Sequence, residues 1–224
     1  MSIAEKFEII ADEVYEIGYE KGKAEGGNTE EAYNQGFVEG KQAEYDKFWD
    51  AFQQNGERAY YYYAFAYQWN DECYNPKYPI VCGTSNTDGN NIFRGSEITD
   101  TKVPIYLSGN GQAMFYSCKQ LKTIRKLVVT EDASYVNMFY TTSTVENITI
   151  EGVIGKSLSM AACPLTIESM KSIINALKDH SGTDKEGTYE LRFSSGCWEV
   201  LEADSTAPDG STWQEYVENL GWLI

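Results

Sequence analysis

The sequence has 224 residues, a formal net charge of −16 and a single histidine, His180. A chain this acidic is poorly suited to gripping nucleic-acid phosphates, and one histidine is too few for a site that needs two imidazole ligands. No Walker loop, GxSxG elbow or HExxH motif is present. The sequence therefore predicts a non-enzymatic protein with no catalytic residues, no cofactor, no metal site and no nucleic-acid partner.

The first segment, residues 1–57, is predicted to be a helical oligomerisation region. Its apolar residues recur at intervals of 4, 3, 4 and 3, which is the seam of a heptad repeat. The seam residues are Ile3, Phe7, Ile10, Val14 and Ile17. They predict that the chain pairs with itself, as a dimer or a trimer, although an amphipathic helix packing on its own domain would show the same spacing.

Acidic residues are concentrated in the same segment. Residues 1–56 carry 13 acidic and 5 basic side chains. A solvated helical face explains this excess most simply. The alternative is a surface that imitates nucleic acid and blocks a basic protein.

Residues 58–90 are predicted to be an aromatic-rich connector. Aromatic side chains either fill a core layer or anchor a contact with a partner. The candidates for partner binding in this segment are Tyr61, Tyr63, Tyr67 and Trp69.

An internal repeat begins further along the chain. Met114-Phe115-Tyr116 recurs as Met138-Phe139-Tyr140, and Met160 opens a shortened third copy. Spacings of 24 and 22 residues between these methionines are typical of stacked repeats, each of which needs its neighbours to bury its apolar face. We therefore expect the repeat positions to be buried together: Phe115, Cys118, Leu121, Ile124, Phe139, Val145 and Ile148.

The spacing Phe115, Cys118, Leu121, Ile124 resembles the BspA-like leucine-rich repeat family over roughly residues 90–165. The second copy departs from the pattern, because Thr142 replaces the cysteine and Val145 the leucine. The resemblance implies a binding surface rather than a catalytic one. The whole sequence, including its Gly/Glu-rich start and its ending, also resembles proteins carried by phages and prophages of gut Firmicutes.

Residues 164–224 are predicted to close the repeats as a cap. Thr166 is placed to begin one helix, and either Ser211 with Gln214 or Thr212 with Glu215 to begin another. Alternation of Tyr189, Leu191 and Phe193 predicts a strand, and residues 222–224 a final one. His180, just past the first helix, is expected to complement the helix dipole.

The predicted class is thus α+β: a coiled-coil-like helical region, residues 1–57, a connector, residues 58–90, and a short capped leucine-rich-repeat solenoid, residues 91–224. Five cysteines without CxxC spacing favour a reducing compartment, and no apolar run is long enough for a membrane span. The predicted role is a tail- or fibre-associated binding module of a phage, acting in the bacterial host cytoplasm or the virion. The alternative is an intracellular phage effector that inhibits a host defence protein. Partners would be another phage or host protein, or a host surface glycan.

Overall fold

The structure is a computed structural model that describes residues 65–67, 69–72, 74, 76, 79–82 and 89–224. All of them belong to the second of two compact units, Glu57–Ile224. Several predicted site residues lie outside the described residues: Ile3, Phe7, Ile10, Val14, Ile17, Tyr61 and Tyr63.

The described residues form a parallel sheet with short helices after it. The sheet has four strands, each paired with the next one along the chain, and the last two strands of the chain pair in a second, two-stranded parallel sheet. The elements in chain order are β1 (Ile80–Cys82), β2 (Ile105–Leu107), β3 (Thr123–Val129), β4 (Asn147–Gly152), β5 (Leu158–Ser159), α1 (Ile167–Asn175), β6 (Leu191–Arg192), α2 (Ser195–Asp204) and α3 (Trp213–Asn219).

The predicted α+β class, with a helical coiled-coil-like region leading into a leucine-rich-repeat solenoid, is wrong for this part of the chain. The described residues form a small α/β fold with a four-stranded parallel sheet and three short helices. Parallel pairing decides the class. Each strand hydrogen-bonds to the next strand along the chain, and a long connection joins the two because a tight hairpin cannot link parallel strands. The predicted helical region 1–57 lies outside the described residues.

Regular spacing along the chain sets the register of the sheet. Ile105 pairs with Leu127, and Ile124 pairs with Ile148, so equivalent residues of successive repeats lie side by side. We call the four repeating stretches coils 1 to 4: residues 65–82, 91–107, 113–129 and 137–152. Each runs from a corner turn to a strand of the sheet.

The core of the coils is a stack of phenylalanine rings. Phe93 lies 5.3 Å from Phe115, which lies 5.5 Å from Phe139, and both pairs are nearly parallel. Phe65 continues the stack in coil 1, 5.2 Å from Phe93. The predicted burial of the repeat positions is confirmed for Phe115, Cys118, Leu121, Ile124, Phe139, Val145 and Ile148. Burying a ring of this size contributes about 1.5–3 kcal/mol relative to leaving it exposed.

Thr142 occupies the position at which the repeat pattern has cysteine. Its hydroxyl donates to the carbonyl oxygen of Phe115 and accepts from the amide of Cys118, 3.1 Å away. The thiol of Cys118 likewise donates to the carbonyl oxygen of Phe93, 2.9 Å away. At both positions, a small side chain with one donor therefore hydrogen-bonds to a buried carbonyl oxygen of the preceding coil.

The C-terminal segment matches the predictions at its helix starts and departs from them elsewhere. Thr166 is the N-cap of α1, and Thr212 with Glu215 forms the capping box of α3. The strand predicted from the alternation at residues 189–193 spans only Leu191–Arg192, and of residues 222–224 only Leu223 forms a bridge. Helix α2 was not predicted, because its start, Ser194-Ser195-Gly196, has the composition of a turn.

His180 is a core residue and not an exposed side chain at a helix end. The residue is 3% exposed, and its ring packs against Tyr189 and Trp222. Its Nε2 atom lies 3.3 Å from the carbonyl oxygen of Gly155. The tertiary contacts of the C-terminal segment, rather than the dipole of α1, explain its position.

Candidate binding surface

Three tyrosines and one arginine, each exposed or half-buried, form a ridge along the corner turns of the coils. Tyr116 and Tyr140, from coils 3 and 4, have ring centroids 5.2 Å apart. The guanidinium carbon of Arg94, from coil 2, lies 4.2 Å from the Tyr116 ring centroid. Tyr67, from coil 1, is 57% exposed and lies over Gly95, where an added Cβ would come within 2.9 Å of its ring. We call Tyr67, Arg94, Tyr116 and Tyr140 the aromatic ridge.

The Tyr116 and Tyr140 rings follow one another along the direction in which the coils repeat, with an angle of 32° between their planes. Arg94 belongs to the coil before Tyr116 and Tyr140 to the coil after it, so they lie on opposite sides of the Tyr116 ring. The guanidinium is held in place by a hydrogen bond from its Nη1 to the side-chain oxygen of Asn91, 3.0 Å away. Cation–π contacts of this kind contribute about 0.5–1 kcal/mol at exposed sites.

The outward face of the sheet is a second exposed surface. Val81, Tyr106, Val128 and Glu151 lie side by side across the four strands, and all are exposed or half-buried. Parallel sheets usually have both faces covered, so an open face with apolar side chains is suited to a partner.

Two ion pairs flank this sheet face. Arg125 contacts Asp100 at 2.7 Å, and this hydrogen-bonded contact raises the pKa of the guanidinium. Lys126 pairs with Glu151, which raises the pKa of the lysine ammonium group. These four charged side chains are therefore paired within the chain, beside the apolar residues of the sheet face.

Backbone hydrogen bonds join the corner turns of successive coils in one direction. Each turn donates N–H groups at alternate residues to carbonyl oxygens of the next coil. In coil 2 the donors are Asn91, Phe93 and Gly95, and in coil 3 they are Ala113, Phe115 and Ser117. We call 91–95 and 113–117 the closed turns, because the following coil satisfies their outward donors.

The turn of coil 4, residues 137–141, has the same backbone but no following partner. Asn137 and Thr141 have positive φ angles, as Ala113 and Ser117 do at the equivalent positions. In the described part of the chain, no acceptor pairs with the backbone N–H of Asn137, Phe139 or Thr141. We call residues 137–141 the open turn.

Glycines mark the same change in stacking. Gly89 and Gly111 precede the closed turns, and an added Cβ at Gly111 would lie 2.9 Å from the carbonyl oxygen of Ser134 in the next repeat. Tyr135 stands at the equivalent position before the open turn, where the following segment leaves room for a side chain. Its hydroxyl is buried and is the one such side-chain atom, in the region that the structure describes, without a hydrogen-bond partner.

Cys82, Cys118, Cys163 and Cys197 are buried, and Cys118, Cys163 and Cys197 are free thiols. Burial raises the pKa of Cys118 to about 11 and that of Cys163 to about 12, so both are protonated at neutral pH. A thiol in this state is a weak nucleophile. Over residues 65–82 and 89–224, where described, no group of three His, Cys, Asp or Glu side chains is arranged to hold a metal ion.

Of the aromatic residues predicted to bind a partner, two can be placed. Tyr67 is exposed and belongs to the aromatic ridge. Trp69 is half-buried and packs edge-to-face on Phe65, with ring centroids 4.9 Å apart, so it is partly a core residue. Sequence reasoning missed Tyr116 and Tyr140 as surface residues. The signal was their position directly after a buried phenylalanine in two copies of the repeat.

Comparisons with known proteins supply no relative for this chain. It matches no family model, no curated protein and no solved structure. Where the structure describes the chain, no helix combines the length and the apolar character needed to cross a bilayer.

Proposed function

We propose that this chain is a non-enzymatic interaction protein whose described unit presents a binding surface to a protein partner. The aromatic ridge supports this proposal most directly. Tyrosine offers a large contact area at a small cost in side-chain entropy, and here three tyrosines and an arginine are aligned across four coils. The sheet face provides a second apolar surface.

The biological setting that we propose is a phage tail or fibre, with the BspA-like and phage resemblance of the sequence as its support. Mass spectrometry of purified virions from a strain that carries the gene tests this setting. The peptides of this chain should be present in stoichiometric amounts with other tail proteins. Their absence from virions, with abundant protein in the infected cell, would favour the intracellular effector.

The charge distribution supports the effector as the second candidate. Residues 1–56 hold half of the net charge in a quarter of the chain. If this segment is the decoy, changing Glu13, Glu16, Glu30 and Glu31 to Gln should abolish binding, and added salt should weaken it steeply.

Binding measurements separate the two candidates once a partner is captured. For the proposed binding module, a substitution on one of the two surfaces, Tyr140→Ala on the aromatic ridge or Tyr106→Ala on the sheet face, should weaken the complex, and salt should weaken it less than it would weaken the decoy. Tyr106 is 40% exposed, so its loss should leave the fold intact. Binding that fails only with the acidic substitutions would reject the module in favour of the decoy.

A further inference from the structure

The open turn is the place where the pattern of hydrogen bonds between coils stops. In both closed turns, three N–H groups at alternate residues donate to three carbonyl oxygens of the next coil, at 2.7–3.0 Å. The open turn repeats this backbone, with the donors of Asn137, Phe139 and Thr141 directed away from coil 3. An unpaired backbone donor is costly unless water or a partner accepts from it.

The aromatic ridge ends at the same place. Tyr140 is 56% exposed, and among the residues that the structure describes its one ring contact is with Tyr116. By the repeat spacing, the residue that follows it in the stack is Ala162, which is exposed and has no ring. In the described part of the chain, no ring continues the stack beyond Tyr140, which is followed directly by Thr141, one of the donors of the open turn.

We infer that the open turn and Tyr140 together form a docking site for an extended, basic peptide segment of a partner protein. This inference rests on the proposed function. It identifies the place where the partner binds and the contacts that hold it there. Carbonyl oxygens of the segment accept from the backbone N–H groups of Asn137 and Thr141, which are exposed and are the first and third donors of the open turn. The segment thus continues the ladder, as a peptide added to the edge of a sheet does.

Charge selects the side chain that stacks on Tyr140. Arg94 already covers the other end of the stack, so a guanidinium fits the geometry of these rings. Residues 57–224 hold 21 acidic and 13 basic side chains, which favours a cationic partner over an anionic one. An arginine or lysine of the segment therefore stacks on the face of Tyr140 that Tyr116 leaves uncovered.

Selection from a displayed library of random 12-residue peptides on the full chain tests this site. Enriched peptides should carry arginine or lysine. Amide exchange followed by NMR should show protection of Asn137 and Thr141 on adding a selected peptide. The equivalent amides of Ala113 and Ser117 should be protected before and after, because the next coil already accepts from them.

Substitutions at the surface provide the matched controls. Ala162→Tyr should extend the stack over Tyr140 and weaken peptide binding about tenfold or more, whereas Ala162→Ser should bind like the wild type. Tyr140→Ala should also weaken binding, and Tyr106→Ala on the sheet face should not. Unfolding curves of each variant show whether it is folded.

Four outcomes would overturn the site. The first is that no peptide is enriched. The second is that the enriched peptides bind the Ala162→Tyr variant as well as they bind the wild type. Binding lost with Tyr106→Ala but kept with Tyr140→Ala would move the partner to the sheet face, leaving the proposed function in place. A glycan that binds through Tyr140 where no peptide does would replace the peptide by a sugar.

Discussion

The closed turn at 113–117 and the open turn at 137–141 have nearly the same sequence and backbone, but they have different neighbours. Coil 4 accepts the hydrogen bonds of the closed turn, covers Phe115 and packs against Tyr116. The open turn lacks such a coil at its outward donors. The difference indicates that the backbone donors of a corner turn depend on the next repeat for their acceptors. The open turn has no such acceptors in the described part of the chain, and the docking site proposed above rests on this.

The largest expected effect separates the two phenylalanines. Phe115 has a ring on both sides and Phe139 on one. Phe115→Ala should lower the free energy of unfolding by about 3–5 kcal/mol, with Phe139→Ala near the lower end of that range. Urea unfolding followed by tryptophan fluorescence measures both. A greater loss at Phe139 would contradict the view that the closed turn is the more tightly held.

Gly111 tests how closely coil 4 approaches the closed turn. A Cβ there would lie 2.6 Å from atoms of Leu107 and Met138. Gly111→Ala should therefore destabilise the protein by about 1–3 kcal/mol through overpacking.

Gly196→Ala is the matched control for Gly111→Ala. Gly196 lies in α2 with no atom within 4 Å of its Cβ position, so alanine there should stabilise by about 0.5–1 kcal/mol. Thermal unfolding of both variants gives the comparison. Equal effects at the two glycines would show that the contacts around Gly111 are not tight.

Thr142 links the two turns through its hydroxyl. Thr142→Val keeps the shape but removes the donor to Phe115 and the acceptor for Cys118, which should cost about 1–2 kcal/mol. Thr142→Cys should recover part of this loss, since cysteine occupies the equivalent position in coil 3. Chemical denaturation of the three proteins measures the order, and a cysteine variant weaker than the valine variant would contradict it.

The smallest expected effect lies on the surface. Arg94→Ala removes the cation from the Tyr116 ring and should cost about 0.5–1 kcal/mol. Arg192→Ala is the control, because Arg192 is exposed and pairs only with Glu190. Thermal denaturation at low and high salt distinguishes the two. Identical behaviour would mean that the ring contact contributes nothing measurable.

The burial of the repeat core was predictable from the sequence, and so were the starts of α1 and α3. Phe115 and Phe139 recur at a fixed spacing, and any stacking of equivalent repeats must bury them together. Thr166 and Thr212 identify helix starts because N-cap bonds form within four residues. Both kinds of evidence are contained in short stretches of chain.

Tertiary structure alone decided the α/β class, the burial of His180 and the place where the ladder between coils stops. Parallel pairing, the packing of His180 on Trp222 and the loss of a hydrogen-bonding neighbour after residue 141 all depend on segments distant in sequence. The sequence does show that Tyr135 replaces the glycine found at the same position in the two earlier repeats. Only the structure shows that this replacement accompanies the loss of the neighbour, because a glycine is needed only where another backbone comes close.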